Sequence, residues 1–448
     1  MDFLLKNVTI FPNSAESTLL HGQAVAVTRR HITAVGPESE LLNTYTDYPQ
    51  IDGGGRLLMP GLVNAHNHFY GTFARGLALP TQPQNFGEIL KLLWWRLDSS
   101  LDLDAVYYSA LLPAMLAVKV GVTTVIDHHA SPRATDGSLD RIEEALTHVG
   151  LRGILCYEVS DRDGPAARRA GLMENARYIR QCRQARRQDP DHLFDGMVGL
   201  HAAFTLDDDT LAEAADLARQ LERGCHVHVL EDPIDERVCR EKYGAGAVER
   251  LDRHGLLGPR SIAGHGIHLD EAGADLLAQT DTLVVHNPQS NMNNAVGRAD
   301  IFGLMGRGLT VGLGTDGMTA DIRAEARAGF LLHRHHLRTP TVGWAEFERI
   351  LLQNNPALVE RLTGQKIGRI APGYLADIIL LDYYPPTPLH ADNFWGHFLF
   401  GLVDAPVHTT IINGRIVMHQ GLVDHLDEAA IAAAARECAR RVWQRFSA

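Results

Sequence analysis

The chain has 448 residues, 45% hydrophobic and 21% charged, with a formal net charge of −12. This is the composition of a globular chain with a large core, long enough for one large domain and a smaller one. Its acidic balance and scattered basic residues argue against a nucleic-acid footprint or an anionic-membrane surface.

The opening Met1-Asp2-Phe3-Leu4-Leu5-Lys6-Asn7 has neither the basic start nor the long apolar stretch of a signal peptide. No apolar run approaches the ~20 residues of a membrane span, so a cytoplasmic protein is expected. Residues 3–10, 22–28 and 31–35 are short, partly alternating, β-branched segments, the pattern of antiparallel strands. From residues 56–68 onward the pattern changes. Apolar strand candidates recur at 61–66, 122–127, 151–157, 195–200, 225–230, 260–265, 282–286 and 311–315. Helical patterns occupy 102–120, 137–148, 165–186, 207–222, 245–255, 270–279, 298–307 and 320–335. Eight strands alternating with helices predict a parallel sheet, and polar residues gathered at the strand ends favour a closed barrel over an open one. Residues 376–382 and 409–417 read as strands again, the second with an Asn413-Gly414 hairpin turn. Residues 427–446 read as an Ala/Arg-rich amphipathic helix. The expected fold is α/β: a (β/α)8 TIM-like barrel over 59–365, a small β-sandwich domain from both chain ends (1–58 plus 366–425), and a C-terminal helix over 426–448. Cys156, Cys182, Cys225, Cys239 and Cys438 are odd in number and irregularly spaced, which reads as reduced thiols.

The chemistry concentrates at the strand ends. His66 and His68 are two apart, so on a strand they share a face. They read as a pair of imidazoles for a metal ion or as two surface histidines. His226 and His228 repeat the spacing, and His228 to Glu231 carries the chain from strand to loop. There a histidine can hold metal while the carboxylate moves protons; a buried histidine with a solvated glutamate is the alternative. His265, between Gly264 and Gly266, ends the next strand, as a ligand-facing or a capping side chain. Asp316, after Gly314-Thr315, ends the last, as a metal ligand, a general base or a helix cap. Together these residues place His66, His68, His228, His265 and Asp316 at the ends of four strands, and a mononuclear metal site follows.

An ordered set of motifs carries a resemblance. It comprises Met59-Pro60-Gly61-Leu62-Val63-Asn64-Ala65-His66-Asn67-His68, Gly121-Val122-Thr123-Thr124, and Leu200-His201-Ala202-Ala203-Phe204-Thr205. It continues with His228-Val229-Leu230-Glu231, Gly264-His265-Gly266, and His286-Asn287-Pro288-Gln289-Ser290-Asn291. It closes with Gly314-Thr315-Asp316-Gly317, Pro356-Ala357, and Ala371-Pro372-Gly373-Tyr374-Leu375-Ala376-Asp377. On these the chain resembles the amidohydrolase superfamily, in its aminohydrolase/chlorohydrolase (cytosine and guanine deaminase-like) branch. The stretch Asp127-His128-His129-Ala130-Ser131-Pro132 is most similar to the SsnA group of aminohydrolases, which is linked to purine metabolism.

The resemblance implies that His66, His68, His228 and Asp316 hold one divalent metal ion, zinc before iron or manganese. It implies that Glu231 shuttles protons, that His265 orients or deprotonates the attacking water with Asp316, and that His201 reaches the substrate. It also implies a homodimer. The reaction expected is hydrolytic deamination of a purine- or pyrimidine-like heterocycle, with hydroxide generated at the metal attacking a ring carbon. Ring opening of a cyclic amide is the alternative. None of the five lysines (Lys6, Lys91, Lys119, Lys242, Lys366) falls in the third or fourth strand, which argues against a lysine-bridged pair of metals. The partner is thus a small heterocycle, with no nucleic acid and no membrane.

Further candidates for the substrate pocket are Arg75, His128, Glu158 and Ser290. Tyr70, Trp94 and Trp95 suit a flat polar ring or else pack a helix. Asn291, Asn293 and Arg298 are candidates for framing the pocket. His333, His335 and His336 read as a solvated helix face.

Overall fold

The computed structural model describes residues 2–14 and 19–448. Four strands precede the barrel: β1 (Phe3–Ile10), β2 (Leu20–Thr28), β3 (His31–Pro37) and β4 (Gln50–Pro60). The barrel follows as β5 (Leu62–Asn67), β6 (Val122–His129), β7 (Arg152–Tyr157), a broken fourth stave β8 (Phe194–Gly196) and β9 (Val198–Ala202), then β10 (Cys225–Val229), β11 (Ile262–His265), β12 (Leu283–His286) and β13 (Val311–Leu313). The chain ends with β14 (Ile378–Leu381), β15 (Val407–Ile412), β16 (Arg415–His419) and β17 (Leu422–Val423).

All neighbouring barrel strands pair in parallel. Helices fill the crossovers, among them Leu103–Lys119, Gly164–Gln188 and Ile322–Leu337. The last strand closes onto the first through backbone bonds from Thr315 N and Asp316 N to His66 O, at 2.9 and 3.0 Å. Asn355 seals the same seam. Its Nδ2 donates to Val63 O and Leu313 O, and its Oδ1 accepts from Leu313 N. Closure also depends on Gly314, where a Cβ would lie 2.6 Å from the His66 Cβ.

Strand periodicity sets which side chains face inward. In β12, Leu283 and Val285 join the core inside the barrel and Val284 joins the core beneath the helices. In β10, Cys225, Val227 and Val229 all belong to the outer core. His226 and His228 therefore face the barrel axis. The inner core is capped from below by Leu358, Val359 and Leu362 of the helix Asn355–Thr363.

Both chain ends build one separate sheet, in the order β17-β16-β15-β14-β4-β1-β2-β3. The β15–β16 hairpin turns on Asn413 and Gly414 with φ of 53° and 70°, the left-handed pair that a tight two-residue hairpin requires. The terminal helix Glu428–Ser447 buries Ala435, Cys438, Val442 and Phe446 against Leu103–Lys119. Strand β4 and the helices Glu38–Thr44 and Pro233–Tyr243 lie where the sequence patterns mark no element. The two helices are short, and their apolar stripes are too brief to stand out.

Candidate active site

The strand ends bring the expected residues together. His66 and His68 come from β5 and the turn after it, His228 from β10, His265 from β11, and Asp316 follows β13. The His68 Nε2 lies 3.3 Å from the Asp316 Oδ1 and 3.1 Å from the His228 Nε2. The His66 Nε2 is 4.0 Å from the same carboxylate oxygen. Ligand atoms of His66, His68 and Asp316, and of His66, His228 and His265, form compact groups that could hold an ion.

The hydrogen bonds around these rings decide their tautomers. The His68 Nδ1 donates to His128 O at 2.5 Å and the His228 Nδ1 to His201 O at 2.8 Å. A neutral ring that donates from Nδ1 carries a lone pair on Nε2. The two Nε2 atoms at 3.1 Å are thus lone pair against lone pair, with no proton to share. The His66 Nε2 is buried and also lacks a hydrogen-bond partner, while its Nδ1 lies 2.8 Å from the His226 Nε2. Burial pushes the pKa of His66, His68 and His228 down, reinforced by neighbouring imidazoles at His66 and His228 and opposed by Asp316 at His68, which favours neutral rings. Two lone pairs, the partnerless His66 Nε2 and a carboxylate converge at 3.1–4.0 Å, around the ~3.3 Å expected between ligands on a tetrahedral ion with ~2.0–2.1 Å bonds. A divalent cation fits this donor set.

His226, which shares a strand face with His228, sits behind His66. It holds the His66 ring and approaches the Cys156 Sγ at 3.9 Å with its own Nδ1.

Glu231, His265 and Asp316 form the proton-handling group. The His265 Nε2 is 3.4 Å from the Glu231 Oε2 and 3.8 Å from the Asp316 Oδ2, with its Nδ1 fixed on the Asn291 Oδ1 at 2.9 Å. Leu230, His265 and Asp316 have φ of 51°, 71° and 55°, the left-handed region that is uncommon for residues with a side chain. Burial raises the Glu231 pKa to about 7, opposed by His265. Asp316 stays below the usual carboxylate range. Burial pushes it up, while the His68 and His265 rings and hydrogen bonds from Ser290 Oγ and Gly317 N pull it down further. One carboxyl is thus poised near neutrality and the other kept ionised, a division of roles suited to acid–base work.

These groups open into a cavity that reaches solvent. His201 and Glu158 line it, as do Tyr70, Trp94 and Trp95. The His201 Nδ1 bonds to the Thr205 Oγ1 at 2.7 Å and its Nε2 lies 3.7 Å from the Glu158 Oε1. Burial lifts the Glu158 pKa to about 8. His128 is buried beneath, with its Nδ1 3.5 Å from the Glu158 Oε2; neither atom has a hydrogen-bond partner. Ser290 lies under Asp316, donating to its Oδ2 at 2.6 Å, and does not line the cavity. Arg75 is exposed and lines no part of it. Asn291 holds His265, whereas Asn293 is exposed. Arg298 donates to the His333 Nδ1.

His335 and His336 are exposed, as a solvated face requires, but His333 is not. It turns inward and meets the His286 Nε2 at 3.2 Å. Helical phase separates His333 from its two neighbours, and the sequence cluster hides that. Sequence reasoning also passed over Phe86, Leu90, Phe204 and Ile234 in the wall, and Asn294, whose Nδ2 donates to the Glu231 Oε1 at 3.3 Å. Phe204 lies within the Leu200–Thr205 motif, where its role in the wall has no local signature, and the others come from loops and helices that carry no motif.

The family model described as "Amidohydrolase family" matches residues 57–417. The 5'-deoxyadenosine deaminase of Methanothermobacter thermautotrophicus is 33% identical over 384 residues, covering 84% of this chain and 86% of that protein. The 5-methylthioadenosine/S-adenosylhomocysteine deaminase of Pelotomaculum thermopropionicum is 29% identical over 450 residues, 99% of each. Among solved structures, a zinc-bound adenosine deaminase from Xanthomonas campestris superimposes with a TM-score of 0.82 at 24% identity, covering 98% of both chains; at that identity the likeness speaks for the fold.

Proposed function

We propose, from the premise that this chain belongs to the amidohydrolase family, that its substrate is an aminopurine, free or as a nucleoside. The chain is a metal-dependent hydrolase that deaminates an aminated heterocycle, a C–N bond other than a peptide bond. The observation that carries the reading of the site is the pair of Nε2 lone pairs of His68 and His228 facing each other beside Asp316. We take His66, His68, His228 and Asp316 as the residues that hold the metal, and zinc as its identity, since imidazole and carboxylate in a tetrahedral set suit that ion.

The cation, when bound, supplies an acidified water, lowering its pKa from ~16 to ~7. The protein's own groups do the rest. Asp316, ionised and anchored by Ser290, accepts a proton. His265, fixed by Asn291, steers the attack onto the ring carbon that bears the amine. Glu231, protonated near neutral pH, gives its proton to the adjacent ring nitrogen, takes up the proton that the added hydroxyl loses as it becomes a carbonyl, and passes that proton to the departing amine. His201 and Glu158 bracket the ring edge. Ser290 and His128 act through Asp316 and His68 and not on the substrate. The deaminase names of relatives that match nearly the whole chain favour an amino-bearing purine, and 5′-deoxyadenosine and 5-methylthioadenosine are the first compounds to try. The reading also takes the enzyme as cytoplasmic; all five cysteines are free and buried, as a reducing compartment permits.

Mass spectrometry of products from metal-replete protein and a purine and pyrimidine panel tests this. Exchange of an amino group for oxygen is the expected result. Gain of a whole water with loss of the ring would mean ring opening and overturn the deaminase reading.

A further inference from the structure

Two side chains that line the cavity, Glu158 just after β7 and His201 on β9, are each backed by a chain of polar contacts that ends on a backbone carbonyl. The Thr205 hydroxyl gives its single proton to Ala202 O at 3.0 Å. Its oxygen, 2.7 Å from the His201 Nδ1, therefore accepts from that nitrogen. In a neutral imidazole the other nitrogen, Nε2, is then a bare lone pair. On the other side, the His128 Nε2 lies 3.1 Å from His226 O. A carbonyl only accepts, so that nitrogen carries the proton and the His128 Nδ1 is bare. The Glu158 Oε2 lies 3.5 Å from this Nδ1, so Oε2 is the oxygen that holds the proton whenever the carboxyl has one. The Glu158 Oε1 is an acceptor in either state, and it lies 3.7 Å from the His201 Nε2. Among the described residues no donor reaches either atom.

From these two relays we infer that the Glu158 Oε1 and the His201 Nε2 form one specificity subsite, a pair of acceptors that takes a hydrogen-bond donor of the substrate other than the amine that leaves. Two bare acceptors at this distance repel each other, and an N–H or O–H placed between them removes the repulsion. Among the described residues His201 belongs to no compact group of donors that could hold an ion, which leaves the substrate to bring the donor. The choice of compounds rests on the aminopurine reading above, and the inference deepens it. In an adenine nucleoside the free ring nitrogens are acceptors, and the one donor group on the base is the leaving amine. The donor read here is therefore a ribose hydroxyl or a second N–H group on the ring.

Thr205 and Glu158 are separate handles on the pair. Thr205→Val keeps the shape and removes the oxygen that accepts from the His201 Nδ1, so Nε2 can take the proton and turn from acceptor to donor. Glu158→Met removes the second acceptor. Glu158→Gln is the conservative control: its amide nitrogen can donate to the His128 Nδ1 while its oxygen stays an acceptor beside His201.

The test compares adenosine, 2′-deoxyadenosine, 3′-deoxyadenosine and 2,6-diaminopurine riboside as substrates, and as competing inhibitors, of the metal-loaded enzyme. Nitrogen NMR of labelled histidine reads the His201 tautomer, with His201→Gln assigning its signal. A bare Nε2 is expected in the parent, together with a donor effect of about 10- to 100-fold on kcat/KM in one arm. A loss with either deoxy compound assigns the donor to the ribose, and a gain with the diamino compound assigns it to the ring. T205V and E158M should each bring that ratio to within about threefold of unity, and E158Q should keep it, a split that a merely structural effect would not produce. A protonated Nε2 in the parent overturns the inference, as does turnover within about threefold across all four compounds, and either result leaves the deaminase reading standing. If none of the four is deaminated or competes, the aminopurine reading falls, and the His201 signal alone decides whether the acceptor pair stands.

Discussion

The Nε2 atoms of His68 and His228 face each other at 3.1 Å while both Nδ1 atoms donate to backbone carbonyls. This packing is unfavourable without a positive charge at the lone pairs, so metal binding and stability are coupled. Stripping the metal should lower thermal stability, and adding it back should restore it. At a free ion concentration of about 1,000 times Kd, the gain is about 4 kcal/mol. H68N and H228N should each lose metal, read by elemental analysis of the purified protein. Full metal content in both variants would remove these two rings from the ligand set.

Glu231 touches His265 and Asn294, and it groups with His265 and Asp316, apart from the rings of His66, His68 and His228. Glu231→Gln keeps its shape and its acceptor for Asn294 while losing the mobile proton. The expected outcome is a drop in kcat of ~10²–10⁴-fold with metal content unchanged. A kcat within a few-fold of the parent would take the proton shuttle away from this residue.

Ser290 donates to the Asp316 Oδ2 at 2.6 Å. Ser290→Ala frees that oxygen to rotate. Groups of this kind typically contribute 10–100-fold to metal affinity, so the variant should bind metal about 10- to 100-fold more weakly, measured by competition with a chromogenic chelator. At saturating metal its kcat should recover most of the parent value.

The sequence made the staves and the polar strand ends legible because both are local patterns. Alternation in β10 turns His226 and His228 inward, and the glycines around His265 and Asp316 mark close approaches. What it hid depends on contacts between distant segments. His226 and His228 share a face, and only the position of His66 across the barrel shows which one orients a neighbour and which one meets the site. Ser290 sits four residues past His286 at the end of β12, with nothing local to reveal that its hydroxyl points at Asp316. Arg75 follows a motif-like context, yet the turn Phe69–Ala74 carries it out to solvent. The aromatic wall is assembled from residues 86–95, 204 and 234, which come together only in the folded chain.

Glu325 anchors the short helix Pro288–Asn293, which supplies Ser290 and Asn291. Its Oε1 accepts from Gln289 N at 2.7 Å, and burial lifts its pKa from 4.5 to about 8. In that interval the folded protein holds a proton that the unfolded chain has lost. Stability from this group is therefore full below about pH 4.5, falls as pH rises to about 8, and is flat above. Glu325→Gln keeps the acceptor for Gln289 and removes the titration. Its unfolding midpoint should fall less between about pH 5 and pH 8 than the parent's, measured by denaturant titration across that range. Parallel pH profiles for the two proteins would show that Glu325 is ionised in the folded state.

Arg152 on β7 reaches Asp377 beside β14 with its Nε and Nη2, at 3.1–3.2 Å, and both side chains are buried. The Arg152 Nη1 bonds to the Gln365 Oε1, and the Asp377 Oδ1 also accepts from Asn413 N at the hairpin. One ion pair thus ties the barrel to the sheet made from the chain ends. Arg152→Ala leaves Asp377 charged in a dry setting, which should cost about 3–5 kcal/mol. Replacing both partners with apolar residues of similar size should cost less than the sum of the single changes, because no lone charge is left behind. Urea unfolding of the four proteins in that cycle measures the coupling. Additive losses would mean that each side chain acts through its other contacts, Gln365 on one side and Asn413 on the other.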